Sequence, residues 1–261
     1  MNTMKISYLL GCLALLVASG CVVETEDAEL AEESADTQEA TSEDTATAMQ
    51  AISSVGDVGW SPGQPALGLG PSSDRVCFLT GIKGNFAASG DLIRVYVSNG
   101  SWYLSGSGPS GVAGWAACAY VTPFSGEYKW ESGQNYPTAL GSASKRMCFI
   151  TRVSGSFNST SDWVHLYGQS GQWFMTGEST ASDVKFGARC VAAEYGLEKS
   201  WGNNDLGTYV GTSAGQSCGL TKISGNFDNS QDFLHCDRTT DSWYLTGKAT
   251  SGSLGGRARL F

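Results

Sequence analysis

Beyond position 52 the apolar residues come in short runs of four to seven, separated by clusters of glycine, serine, asparagine and aspartate. Runs of that length bounded by turn formers predict strands joined by tight turns. In the segment 76–120 they predict strands near 76–82, 92–97, 101–105 and 112–120, with a further strand beginning at Trp60. Ile93, Val95 and Val97 alternate with Leu92, Arg94 and Tyr96, which is the two-residue period of a strand with one face turned to a core. No segment after the N-terminal apolar run shows the 3.6-residue period of an amphipathic helix. The predicted fold class is all-β.

The pattern repeats. The segments starting at Cys77, Cys148 and Cys218 align without a gap for 31 residues, and seven positions are identical in all three copies. These are Cys77/Cys148/Cys218, Thr80/Thr151/Thr221, Gly84/Gly155/Gly225, Phe86/Phe157/Phe227, Asp91/Asp162/Asp232, Trp102/Trp173/Trp243 and Gly106/Gly177/Gly247. Upstream the unit reaches Trp60, Trp130 and Trp201, and downstream it runs to Cys118, Cys190 and Leu260. Self-similarity at a fixed period of about 70 residues marks tandem structural units. The expected organisation is a signal over 1–21, an acidic tether over 22–52, and three antiparallel β modules over 53–126, 127–197 and 198–261. Whether the modules close into one pseudo-threefold body or sit as beads is open at this level.

Setting aside Cys12 and Cys21 in the leader, six cysteines remain, an even number that suits a disulfide framework. Copy symmetry pairs Cys77 with Cys118 and Cys148 with Cys190. In the third copy Leu260 stands at the second cysteine position and Cys236 appears instead, so Cys218 is expected to pair with Cys236. A hairpin between the first two strands of the unit would bring those two together, and would place the first strand between the second and the last. The absence of any close Cys-x-x-Cys pair, with only His165 and His235 as histidines, argues against zinc. Asp91, Asp162 and Asp232 follow loops of small polar residues and are expected in Asx-type turns, because one or two carboxylates per loop are too few for a calcium cage.

The second strand of each copy separates candidate function from core. Its apolar side, Ile93/Val164/Leu234 and Val95/Leu166/Cys236, is expected to face inward. The other side carries Arg94 and Tyr96, then Trp163, His165 and Tyr167, then Phe233 and His235. In the next strand Tyr103, Phe174 and Tyr244 share that side, while Trp102, Trp173 and Trp243 belong with the core. An aromatic patch beside a cation or imidazole suits stacking on sugar rings with hydrogen bonds to hydroxyls. The candidate ligand-binding residues are thus Arg94, Tyr96, Tyr103, Trp163, His165, Tyr167, Phe174, Phe233, His235 and Tyr244, with Trp163, His165, Tyr167 and Phe174 the richest set. The alternative is that this face packs against another sheet.

Charge changes the picture only once it is divided. Ten acids and no Lys or Arg lie between Val22 and Gln50, while 51–261 holds 15 acids and 15 bases, so the net charge of −9 belongs to the leader. There is no basic footprint for nucleic acid. The acidic stretch cannot bury enough apolar surface to offset its ordering entropy and reads as a disordered tether. Before it, Lys5 and the apolar run from Ile6 to Ala18 form an export signal too short to span a bilayer. The ending Leu16-Val17-Ala18-Ser19-Gly20-Cys21 resembles the lipobox of bacterial lipoproteins, departing from it at Ala18, where that family most often has leucine. The resemblance implies cleavage before Cys21 and lipidation of its thiol; a plain secretory signal cut near the same place is the alternative.

No Gly-x-Ser-x-Gly elbow, phosphate loop or His-Glu-x-x-His motif is present, so neither catalysis nor a cofactor is expected. Triplication points instead to several weak sites linked for avidity. The Cys-Phe-Leu-Thr and Trp-Tyr-Leu phrases resemble repeat modules of bacterial exported proteins and phage tail-fibre tips, over about 31 residues per copy, which implies surface attachment or receptor binding. The expected function is recognition of a carbohydrate or another cell-surface ligand by an exported protein tied to a bacterial membrane through its N-terminal lipid alone. A non-catalytic structural or protein-interaction lipoprotein of the envelope is the alternative.

Overall fold

The structure, a computed structural model, describes residues 54–108, 111–203 and 205–261. The signal, Cys21 and the acidic tether lie outside the described residues. Each repeat contributes six strands, two more than the runs around the first cysteine suggest. Repeat 1 holds β1 (Ser54–Trp60), β2 (Leu67–Pro71), β3 (Val76–Lys83), β4 (Leu92–Ser98), β5 (Ser101–Ser107) and β6 (Ala113–Ala119). Repeat 2 holds β7 (Tyr128–Glu131), β8 (Thr138–Ser142), β9 (Arg146–Ser154), β10 (Trp163–Gln169), β11 (Gln172–Glu178) and β12 (Lys185–Ala192). Repeat 3 holds β13 (Lys199–Gly202), β14 (Thr208–Thr212), β15 (Cys218–Gly225), β16 (Phe233–Arg238), β17 (Ser242–Lys248) and β18 (Leu254–Leu260). The early strand ends at Trp60 rather than beginning there, and the glycine-rich Leu67–Pro71 strand has too few large apolar residues to stand out in the sequence.

No repeat keeps its six strands in one sheet. Sheet I has the order β1-β6-β3-β16-β17-β14, sheet II β13-β18-β15-β10-β11-β8, and sheet III β2-β5-β4-β9-β12-β7. Every sheet therefore joins three strands of one repeat to three of another, in a cycle that closes on itself. The seams are short antiparallel pairings: Leu234↔Ile82 with its neighbours in sheet I, Val164↔Ile223 in sheet II and Ile93↔Val153 in sheet III. An isolated repeat would leave the open edges of two half-sheets unpaired, and such edges invite aggregation. Cyclic pairing covers the edges of β3, β4, β9, β10, β15 and β16 together. Burial follows from this placement: the central strands β3, β9 and β15 are buried along nearly their whole length, whereas β4, β10 and β16 alternate between buried and half-buried positions.

The seam explains the expected hairpin that does not form. The segment from Gly84 to Asp91 carries the chain from β3 in sheet I to β4 in sheet III, so the second neighbour of β3 is β16 of repeat 3 and not β4. The Cys218–Cys236 disulfide does form, but it ties β15 in sheet II to β16 in sheet I. Cys77–Cys118 and Cys148–Cys190 are bridges between directly opposed residues of adjacent strands, with Cα atoms 4.0 Å apart.

The repeated residues hold this arrangement. Gly84, Gly155 and Gly225 have φ of 111°, 91° and 107°, and a Cβ on each would lie 2.6, 2.3 and 1.9 Å from a backbone carbonyl oxygen. Their amides donate across the seams to the carbonyls of Asp232, Asp91 and Asp162, at 2.9, 2.9 and 2.8 Å. The aspartates are fully buried in their turns, but their carboxylates accept from the amide three residues back and from one 18 residues on rather than from the amide two residues on that defines an Asx turn: Asp162 accepts from the Ser159 and Thr180 amides and Asp232 from those of Asn229 and Thr250. Gly106, Gly177 and Gly247 leave room for the rings of Trp60, Trp130 and Trp201, which would stand 2.4, 3.1 and 2.5 Å from an added Cβ. Trp102, Trp173 and Trp243 are fully buried in the core, and their indoles donate to the carbonyls of Arg75, Arg146 and Gln216.

Two aromatic clusters join the repeats. Beyond the central strands, Phe227 packs on Phe86 and Phe157 with centroids 5.9 and 5.8 Å apart. At the starts of those strands Phe78 and Phe149 are 4.9 Å apart, but their counterpart in repeat 3 is Gly219. Phe261 supplies the missing ring, 5.2 Å from Phe78 and 5.5 Å from Phe149, and pairs through its backbone with Ser217. Phe261→Ala should cost about 3 kcal/mol in urea unfolding, the scale of a buried aromatic truncation. Adding Gly219→Phe should recover part of that loss, because its ring would enter the vacated space; a further drop would show that the space is not shared.

Candidate functional site

The ten candidate residues do not converge on one site. They divide among the outward faces of the three sheets, on the side opposite the buried Ile93, Val95, Val164, Leu166, Leu234 and Cys236. Sheet III carries Arg94, Tyr96 and Tyr103; sheet II carries Trp163, His165, Tyr167 and Phe174; sheet I carries Phe233, His235 and Tyr244. All ten are half-buried, so neither complete packing against another sheet nor full exposure describes them.

Strand register sets their contacts. Tyr96 faces Tyr103 and Tyr167 faces Phe174 across hairpins, and each pair is stacked at 5.7 Å between centroids with planes 29° apart. His165 lies 5.5 Å from the Tyr167 ring, and the Arg94 guanidinium sits 4.2 Å over Tyr96. Trp163 donates its indole N–H to Glu178 and has the Lys222 ammonium 5.7 Å from its ring. In sheet I the pattern differs: Asp237 opposes Tyr244, which instead meets Tyr209 at 5.7 Å, and His235 stacks on Trp115 at 4.5 Å.

Beside each aromatic ledge is a carboxylate contributed by the neighbouring repeat, a feature that sequence reasoning missed. Each central strand has a β-bulge at the repeated threonine, where the register slips between Leu79 and Gly81, between Ile150 and Arg152, and between Leu220 and Lys222. A bulge inserts one unpaired residue and re-aims its side chain. Thr80, Thr151 and Thr221 thereby donate their hydroxyls to Asp57, Glu127 and Glu198, at 2.5, 3.3 and 2.7 Å. In two sheets a histidine reaches the same carboxylate across the seam: His235 Nε2 is 2.6 Å from Asp57 Oδ2, and His165 Nε2 is 3.5 Å from Glu198 Oε1. A sequence signal existed, since Asp57, Glu127 and Glu198 each stand three residues before the repeated tryptophan.

Glu198 has the densest set of partners. Arg257 donates to its Oε2 at 2.9 Å, and Arg259 Nε is 3.7 Å from Oε1. Burial opposes the charged form, but His165, Thr221 and Arg257 more than offset it and hold the carboxyl at about 2. Burial, the adjacent Arg257 and, in the opposite sense, Glu198 act on Lys222, whose ammonium titrates below its usual range.

A separate cleft of about 410 Å³ runs between the connection joining repeats 1 and 2 and the β8–β9 turn, lined by Phe124, Ser125, Ser142, Lys145 and Arg146 among others. None of the candidate residues lines it. Among the described residues no group of three or more His, Cys, Asp or Glu side chains is placed to hold a metal. No known family model matches the chain, and no curated protein matches it either.

The Glu198 carboxyl titrates lower in the folded protein than its ordinary value of 4.5, so its stabilising contribution is complete above that value. It should be lost as pH falls from about 4.5 toward 2, because the unfolded chain takes up the proton first. Thermal unfolding of Glu198→Gln from pH 5 down to 2.5 should decline less steeply than that of the parent. Parallel declines would show that the Glu198 contacts contribute nothing.

Proposed function

We propose that the chain is an exported, lipid-anchored binding protein of a bacterial surface, which recognises carbohydrate through its outward sheet faces and uses no catalytic step. The observation carrying this reading is the Tyr167–Phe174 ledge of sheet II, half-exposed and contiguous with Trp163 and His165, beside a fixed polar cluster on Glu198. Stacked rings offer an apolar platform for a pyranose, and the imidazole, guanidinium and carboxylate next to it offer directional partners for hydroxyls. Three related faces on one chain favour multivalent attachment, in which individually weak sites gain avidity.

The three disulfides fit an oxidising, exported or extracellular environment. Lipidation at Cys21 rests on the lipobox-like ending of the signal. The reading as a structural or protein-interaction lipoprotein is favoured less, because it needs the aromatic faces buried between repeats and they are open to solvent in part.

A glycan array probed with the full oxidised chain, beside a Trp163→Ala/Phe174→Ala variant, is the direct test. Specific signal that disappears in the variant is the expected result. No glycan signal from a demonstrably folded chain would move the assignment to the protein-interaction class.

A further inference from the structure

The three faces share one cross-strand row whose chemistry differs from sheet to sheet. In sheet II the row runs Arg257 on β18, Lys222 on β15 and His165 on β10, each directly opposite the next. In sheet III the same positions are Gly187, Arg152 and Arg94, and in sheet I they are Trp115, Gly81 and His235. Like charges directly opposite one another on a sheet are destabilising. Sheet I shows that the fold does not need them, since an aromatic ring and a glycine fill the places of Arg257 and Lys222.

Carboxylates neutralise these rows only in part. Glu198 already serves Arg257, His165 and Arg259, and Lys222 forms no ion pair among the described residues. Glu178, one side-chain position along the same face from His165, is engaged by the Trp163 indole. In sheet III the Arg94 Nε is buried without a hydrogen-bond partner among the described residues. Two sheets thus keep an opposed cationic pair in this row next to a stacked aromatic pair, while in the third the row holds no second cation, Lys83 and Lys248 flank Phe233 instead, and Tyr244 has no aromatic partner across its hairpin.

We infer that the outer face of sheet II, and that of sheet III in a weaker form, binds an acidic saccharide, one with carboxylate or sulfate groups on its rings, whereas sheet I does not. The inference rests on the carbohydrate reading above and narrows it. Tyr167 follows His165 by two residues, about 7 Å along the strand. A sugar stacked on Tyr167 and Phe174 therefore places a ring substituent or the next residue's acid over Lys222 and Arg257. The bound anion relieves the repulsion that the free protein tolerates.

The test measures binding of the full oxidised chain to polygalacturonate, dextran sulfate, uncharged dextran and polyglutamate at low and raised salt, with parallel thermal unfolding. The expected result is preference for the acidic polysaccharides over dextran, weakening with salt. Lys222→Gln should lower that affinity about tenfold while leaving the unfolding temperature unchanged or higher, and Lys145→Gln, an equal charge change elsewhere, should leave the affinity unchanged. Lys222→Gln that lowers the unfolding temperature and spares affinity would assign the lysine to structure and overturn the proposal. Dextran bound as well as the acidic polymers, and lost in Trp163→Ala/Phe174→Ala, would overturn the acidic preference while the carbohydrate reading survives. Polyglutamate bound as well as polygalacturonate would overturn both, leaving a surface that senses charge alone, and no binding of any polymer by the folded chain would overturn the proposal outright.

Discussion

The hydrogen bond from the left-handed glycine of one repeat to the buried aspartate's carbonyl in another, made three times in a cycle, is the constraint on which the rest of the structure depends. It sits at the end of each seam, where the chain leaves one sheet for the next. The glycine is needed because a side chain there would strike the backbone of the loop before the last strand. The aspartate is needed because its carboxylate closes the turn that aims its own carbonyl outward. With these fixed, the three-residue pairings of the seams fall into register, and every repeat completes two sheets that it could not complete alone.

That exchange of half-sheets also creates the candidate surfaces. Each outward face is a composite in which one repeat lends the aromatic hairpin and another lends the central strand, the bulge threonine and the carboxylate. Divergence between repeats thus does not merely decorate three equal modules. A substitution on β15 alters the surroundings of the hairpin of repeat 2, and one on β3 those of the hairpin of repeat 3. Two faces carry an opposed pair of cationic side chains where the third has an imidazole lying on an indole. The core tolerates similar drift, as Phe261 shows by filling the place that Gly219 leaves open.

Much of this was legible before the structure. The all-β class, the threefold repeat, the three cysteine pairs, the buried tryptophans and the outward side of the second strand all follow from local pattern and from comparing copies. The Trp163, His165, Tyr167 and Phe174 cluster was readable because two-residue alternation and hairpin pairing act within some 16 residues of chain. The hairpin expected between the first two strands was not correct, because a disulfide reports proximity and not hydrogen-bonding partnership: Cys218 and Cys236 are close across two sheets. The carboxylates were missed because each one meets its histidine only after the chain has passed through another repeat. Asp57 and His235 are 178 residues apart, and the only mark on Asp57 in the sequence is its place three residues before a repeated tryptophan.

By itself the sequence determined what most segments are: four of the six strands in each repeat, the side of the second and third that turns inward, the positions where glycine and aspartate recur, and the thiols that pair. These properties depend on period, turn chemistry and repetition, all local or comparable between copies. Only the tertiary structure decided which strands are neighbours, and with that which charges meet. The choice between pairing within a repeat and pairing between repeats is a matter of closing edges around a cycle, and the same β4, β10 and β16 could satisfy their hydrogen bonds either way. The row Arg257, Lys222 and His165 exists only because the cycle closed through the neighbouring repeat.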